Sequence, residues 1–141
     1  QKRPLARMTE EQGMTLPARI VIIDDESSVR SGLSNLLQSE GYDTCAFESA
    51  EAFLNDDTAL AEASLLIIDI KLKGISGPEL YRQILERTRP PPVIFVSGHE
   101  DESLSRYAPE AGAVTLLRKP INIDTLLEQI CCELLMREER R

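Results

Sequence analysis

The chain has 141 residues, 42% of them apolar, and a formal net charge of -8. That length and composition support one domain with its own core and exclude a disordered segment. The acidic balance argues against direct nucleic-acid binding, which needs clustered Lys and Arg against phosphates, and it suits a domain that binds cations.

Residues 1–17 carry Lys2, Arg3, Pro4, Gly13 and Pro17 with weak periodicity. They read as a flexible leader, a linker or an appended remnant. No apolar h-region follows the basic residues, and no apolar run approaches the roughly 20 residues of a membrane span. Neither secretion nor membrane insertion is expected. Ile20-Val21-Ile22-Ile23 is the first predicted strand, and it runs into Asp24-Asp25-Glu26. A continuous apolar run of this kind suits a parallel sheet covered on both faces. Ser27 or Ser28 is placed to cap the next helix. Val29, Leu33, Leu36 and Leu37 fall at helical spacing, and Gly41 ends that helix. Residues 42–47 alternate as an edge strand does. Ser49 is then placed to cap a second helix carrying Ala52, Phe53 and Leu54.

Leu65-Leu66-Ile67-Ile68 runs straight into a lone carboxylate, Asp69. Gly74, Ser76, Gly77 and Pro78 mark a loop and a third helix, with Pro in its first turn. Leu80, Ile84 and Leu85 are expected to line its buried face. Pro90-Pro91-Pro92 forbids further helix. Val93-Ile94-Phe95-Val96 is the fourth strand, ending in Ser97-Gly98-His99. Residues 101–111 predict a weaker fourth helix, shortened or bent by Pro109 and ended by Gly112. Residues 114–117 are the fifth strand, ending in Arg118-Lys119-Pro120. Asn122 or Asp124 caps a last helix, with Ile123, Leu127, Ile130 and Leu134 inward. Cys132, Leu135 and Met136 extend its apolar surface toward a dimer partner, a neighbouring loop or a following domain. Residues 137–141 form a charged tail or the start of a linker. The three cysteines, Cys45, Cys131 and Cys132, are an odd set. The vicinal pair on one helix is poorly placed to bridge, so reduced thiols in a cytoplasm are expected.

Strand alternates with helix five times, which predicts an α/β fold. It is a flavodoxin-like (βα)5 unit with a five-stranded parallel sheet in the order 2-1-3-4-5. In that order the first and third strands are neighbours. Asp24, Asp25 and Asp69 then meet in one crevice at the switch point. Crowded carboxylates repel one another unless a positive charge sits among them. Mg²⁺ takes oxygen ligands and favours sites shared with a phosphate, and Mn²⁺ can substitute. Asp69 is expected to be both ligand and nucleophile, forming an aspartyl phosphate. Lys119, at the end of the fifth strand, can reach back as the cation that neutralises phosphoryl oxygens. Ser97 offers a hydroxyl to one of them. Singly, the acidic run could be helix-dipole stabilisation and Lys119 a surface lysine. Jointly, these groups end successive core strands on one rim, as a site does.

The pattern of Asp24-Asp25, Asp69 with Gly74 and Gly77, Ser97-Gly98 and Lys119-Pro120 resembles the receiver domain of a bacterial two-component response regulator. The resemblance covers about residues 18–135, within an expected receiver domain of residues 18–136. It implies that Asp69 takes a phosphoryl group from a phosphohistidine on a sensor histidine kinase or phosphotransfer protein. It implies that Asp25 and Asp69 bind Mg²⁺ directly, that Lys71 adds its backbone carbonyl, and that Asp24 acts directly or through water. It implies a cis peptide before Pro120. Output, and a homodimer if one forms, would use the face made by the fourth helix, fifth strand and last helix. An output domain would be fused or separate. Such a module is no turnover enzyme; it assists only its own phosphorylation and dephosphorylation.

Leu116 stands three residues before Lys119, where the family usually has Tyr or Phe, so the ring that swings inward there is missing. Lys73 stands where the family often has Pro, which should loosen the loop after Asp69. Lys71 and His99 flank the expected path of hydrolytic water and should set the phosphate's lifetime. Three alternatives differ in class. A Mg²⁺-dependent phosphohydrolase would want an acid two residues past Asp69, where Lys71 stands. A flavin module would find its phosphate repelled by Asp24-Asp25-Glu26. A receiver-like scaffold would act without phosphorylation.

Overall fold

The structure, a computed structural model, describes residues 17–98 and 115–139. Its strands are β1 (Arg19–Ile23), β2 (Asp43–Phe47), β3 (Leu65–Asp69), β4 (Val93–Ser97) and β5 (Thr115–Arg118). Its helices among the described residues are α1 (Ser27–Ser39), α2 (Ala50–Leu54), α3 (Ala59–Glu62), α4 (Gly77–Arg87) and α5 (Ile123–Glu139). All strand pairs are parallel and the order is β2-β1-β3-β4-β5, the flavodoxin-like order expected. His99, the expected helix at 101–111 with Pro109, and residue 114 lie outside the described residues. No helix among the described residues is long and apolar enough to cross a membrane.

The apolar runs explain the layers. Successive side chains on a strand point to opposite faces, so an all-apolar strand feeds two cores. Ile20, Ile22, Leu65, Ile67, Ile94 and Val96 pack against Leu33 and Leu37 of α1 and Leu126, Ile130 and Leu134 of α5. Val21, Ile23, Leu66, Ile68, Val93 and Phe95 pack on the other side against Phe53 of α2, Ala59 of α3, and Leu80 and Ile84 of α4. Leu116 is half-buried against this second core.

Local chemistry sets the element ends. Gly41 has φ +97° after α1. Its N–H donates to the Gln38 carbonyl, and the Tyr42 N–H to the Leu37 carbonyl, each at 3.0 Å, closing α1 with a Schellman motif. Ser49 caps α2 by accepting the Ala52 N–H at 3.0 Å. Ser76 caps α4 by accepting the Glu79 N–H at 3.3 Å. Asn122 caps α5 by accepting the Thr125 N–H at 2.9 Å.

Four expectations are corrected. Glu26, not Ser27 or Ser28, is the N-cap residue of α1, and it makes no side-chain capping bond. The Asp24 carboxylate takes the Glu26 N–H at 2.9 Å, so the helix starts one residue sooner than a serine cap allows. The second helical connection is split, because the Asp56 carboxylate accepts the N–H groups of Thr58 and Ala59, both at 3.1 Å, and starts a new helix. Leu85 is 47% exposed, one position past the Leu80–Ile84 row. Half-buried Tyr81 takes the adjoining inward place, edge-on to Phe95 with ring centroids 5.9 Å apart. Ile123 is 52% exposed in the first turn of α5, and Leu126 is buried with Ile130 and Leu134 in its stead.

Two glycines give opposite expected outcomes. A Cβ on Gly77 would lie 2.5 Å from the Asp69 carbonyl oxygen and 2.9 Å from Ile70 Cα, both backbone. Gly77→Ala is expected to destabilise the fold by about 1–3 kcal/mol, because the start of α4 must back away from β3. Gly32, inside α1, has nothing within 4 Å of its Cβ position. Gly32→Ala should stabilise by about 0.5–1 kcal/mol through helix propensity alone. Urea midpoints moving in opposite directions would support this packing; midpoints moving together would refute it.

Candidate functional site

Parallel register brings the distant carboxylates together. Ile23 pairs with Ile68 across β1 and β3, so Asp24 and Asp69, each one residue further on, leave the sheet side by side. The Asp24 N–H donates to the Phe47 carbonyl at 3.1 Å, which extends β1 by one bond. Asp24 and Asp69 are buried, 3% and 5% exposed, and Asp25 is half-buried. One carboxylate oxygen from each of the three falls within 4.8 Å of the others.

Lys119 arrives from the far side of the sheet. Ser97 pairs with Arg118, and the Lys119 N–H donates to the Ser97 carbonyl at 2.7 Å. The Lys119–Pro120 peptide is cis. Lys119 Nζ lies 3.4 Å from Asp24 Oδ2, 3.5 Å from Asp69 Oδ2 and 3.1 Å from Glu26 Oε1. Ser97 is fully buried at the end of β4, and its hydroxyl donates to the Gly98 carbonyl at 3.0 Å. Lys71 has an exposed side chain, and its backbone N–H donates to Asp69 Oδ1 at 3.1 Å. Asp24, Asp25, Asp69 and Lys119 are therefore gathered as expected. Ser97 sits at the end of the strand beside β3, and His99 falls outside the described residues.

In the sequence Glu26 is one more member of the acidic run, with no partner indicated. It is an ion-pair partner of Lys119 across 93 positions. Arg30, one turn into α1, donates to the Asp24 carbonyl at 2.7 Å, a contact that no sequence motif marks. Only the strand order could have paired Glu26 with Lys119, because no local pattern links them.

The charges are arranged at a cost. Burial first, and then the charge of Asp24, push the Asp69 carboxyl up to about 6 from its ordinary 3.8. Lys119 and the Lys71 N–H oppose that rise, and Asp25 adds to it. Burial also raises Asp24, against the Glu26 N–H and Lys119. Burial acts to lower Lys119, but its bond to Glu26 and the charges of Asp24 and Asp69 outweigh that and hold it above its ordinary value. Among the described residues, two buried carboxylates and a third beside them face one ammonium, which leaves negative charge uncompensated there. An all-oxygen donor set of this kind fits a hard divalent cation such as Mg²⁺. The cavity of about 710 Å³ at the opposite end of the strands, near Phe53, Leu60, Tyr81 and Pro91, includes none of these residues.

Comparison with known proteins gives a consistent result. The family model described as the response regulator receiver domain matches residues 20–131. Response regulator protein TmoT of Ectopseudomonas mendocina is 39% identical over 111 residues, covering 79% of this chain and 50% of TmoT. Response regulator protein TodT of Pseudomonas putida is 37% identical over 122 residues, covering 86% of this chain and 53% of TodT. The chain thus spans about half the length of these relatives. A solved CheY-like response regulator receiver domain from Methanospirillum hungatei superposes with a TM-score of 0.79 at 29% identity, over 88% of this chain and 98% of that one. The response regulator StyR superposes with a TM-score of 0.78 at 34% identity, over 88% of this chain and 62% of that one.

Proposed function

The chain belongs to the response regulator receiver domain family, and from that premise we propose that it is a phosphorylation-controlled switch whose phosphoacceptor is Asp69. The observation that carries this reading is the buried Asp69 carboxylate, flanked by Asp24 and Asp25 and faced by Lys119 Nζ. The receiver unit is residues 18–136. A sensor histidine kinase or phosphotransfer protein is the donor. Its phosphohistidine P–N bond breaks as a P–O bond forms to an Asp69 carboxylate oxygen. Asp25, Asp69 and the Lys71 carbonyl would hold Mg²⁺, or Mn²⁺ in its place, with Asp24 acting directly or through water. When bound, the cation supplies positive charge beside the transferred group.

The chain's own groups do the rest. Burial keeps the Asp69 carboxylate poorly solvated, and a poorly solvated anion gains from forming a bond. Lys119 Nζ already sits 3.5 Å from Asp69 Oδ2, where it can accompany a phosphoryl oxygen. The Ser97 hydroxyl gives up the Gly98 carbonyl and donates to another phosphoryl oxygen. The Lys71 and His99 side chains then modulate attack by water.

Output runs through the face that holds β5 and α5. Leu135 and Met136 on α5 are 45% and 48% exposed, and Cys132 beside them is exposed. That apolar strip suits a second copy or an output domain. The module works in the cytoplasm and is a switch, not a turnover enzyme. The test is intact mass after incubation with acetyl phosphate. Gain of one base-labile phosphoryl group, dependent on Mg²⁺, is the expected result. No gain with Mg²⁺ demonstrably bound, from acetyl phosphate and from a histidine kinase's phosphohistidine alike, would overturn the switch in favour of a scaffold that works without phosphate.

A further inference from the structure

We propose that Glu51, at the start of α2, is a positioning residue for the cation site: it holds the far end of the loop that follows Asp69. The proposal rests on the reading of Asp24, Asp25 and Asp69 as the cation ligands.

The loop between β3 and α4 is tied down through alternate backbone amides. The Lys71 N–H donates to Asp69 Oδ1 at 3.1 Å. The Lys73 N–H donates to Asp25 Oδ2 at 3.3 Å. The Ile75 N–H donates to Glu51 Oε2 at 3.1 Å. At the base of the loop, the Gly77 N–H donates to the Ile70 carbonyl at 2.9 Å. Three carboxylates therefore hold three amides, but they are not equivalent. Asp69 and Asp25 are the residues whose oxygens a cation would draw on. An oxygen polarised toward a divalent cation is a weaker acceptor for a backbone N–H. Glu51 belongs to another helix and is not among the three grouped carboxylates. Its hold on Ile75 draws on no oxygen that the cation would use.

Gly74 shows that the loop is shaped to admit this side chain. Its φ is +78°, and a Cβ there would stand 2.5 Å from Glu51 Oε2. Lys73, where the family often has Pro, leaves the middle of the loop less constrained by its own backbone. An outside anchor matters more in such a loop. With Glu51 in place, the peptide at Lys71, the expected carbonyl donor, needs less ordering when a cation arrives. Less ordering on binding means tighter binding.

The experiment is a MgCl₂ titration of the isotope-labelled chain, following the amide signals of Lys71, Lys73 and Ile75, together with amide exchange of Ile75 in the metal-free protein. Glu51→Ala should speed Ile75 exchange and weaken Mg²⁺ binding, each about fivefold, below the usual loss for a buried outer partner because Glu51 is exposed. Glu51→Gln keeps an acceptor oxygen and loses the charge, so it should stay within about twofold of wild type on both readouts. If wild type binds Mg²⁺ and Glu51→Ala binds it equally well, the proposal is overturned. It is also overturned if Glu51→Gln is as weak as Glu51→Ala, because charge and not the bond would then be responsible. A wild-type chain whose signals ignore Mg²⁺ overturns the cation reading itself and the proposal with it.

Discussion

Asp69→Asn is expected to abolish phosphoryl uptake and, at the same time, to stabilise the metal-free protein by about 1–3 kcal/mol at pH 8. The two effects have one origin. The carboxylate is buried beside Asp24 and is held as an anion only with help from Lys119 and the Lys71 N–H. Asparagine keeps an oxygen for that N–H and removes the buried charge. It also removes the proposed nucleophile. The rise from 3.8 to about 6 is worth about 3 kcal/mol if it were wholly recovered. Less is expected, because Lys119 loses a partner in the variant.

The pH dependence fixes the sign. An acid whose folded pKa lies above its unfolded one binds more protons when folded, so it lowers stability as pH rises between the two values. The penalty is absent below 3.8 and fully present above about 6. The gain from Asp69→Asn should therefore be large at pH 8, smaller at pH 5, and fade toward pH 4. Urea midpoints of the two proteins at pH 8 and pH 5, in chelator, measure it. An equal gain at both pH values would show that burial of this charge is not the cause. Saturating Mg²⁺ should reverse the order, since a ligand stabilises only the protein that binds it.

Much of this was legible in the sequence because the strands are continuous apolar runs that end in chemistry. Leu65–Ile68 before Asp69 and Ile20–Ile23 before Asp24 are short, β-branched-rich apolar runs that suit the middle of a doubly covered sheet. Once strand order followed from alternation, the meeting of Asp24, Asp25 and Asp69 followed too. What was not legible depends on side-chain direction and on partners far along the chain. Leu85 and Leu80 are alike as residues, and only the actual rotation of α4 against β4 decides which faces inward. Ile123 looked like core until the Asn122 cap set the phase of α5 and turned Leu126 inward. Glu26 and Glu51 carry no motif at all. Their partners, Lys119 and the Ile75 N–H, lie 93 and 24 positions away.

Lys119→Met is expected to separate two roles proposed for this one cation. In the metal-free protein the ammonium lies 3.4 Å from Asp24 Oδ2 and 3.5 Å from Asp69 Oδ2, so it competes with any divalent cation for the same oxygens. Methionine keeps an unbranched stem and removes the charge. Mg²⁺ binding should therefore tighten by about three- to tenfold, since the carboxylates lose a competitor whose attraction is partly screened. Phosphoryl uptake should move the other way. A transferring phosphoryl group spreads negative charge on oxygens that Lys119 is placed to meet, and loss of one such fixed donor typically slows a reaction about 100-fold or more. Mg²⁺ titration and the initial rate of uptake from acetyl phosphate read the two effects separately. Tighter binding with slower uptake is the expected pair. If both fell together, Lys119 would be holding the site's shape and not its charge balance. If uptake were unchanged, the cation that meets the phosphoryl oxygens would have to be sought elsewhere on the rim.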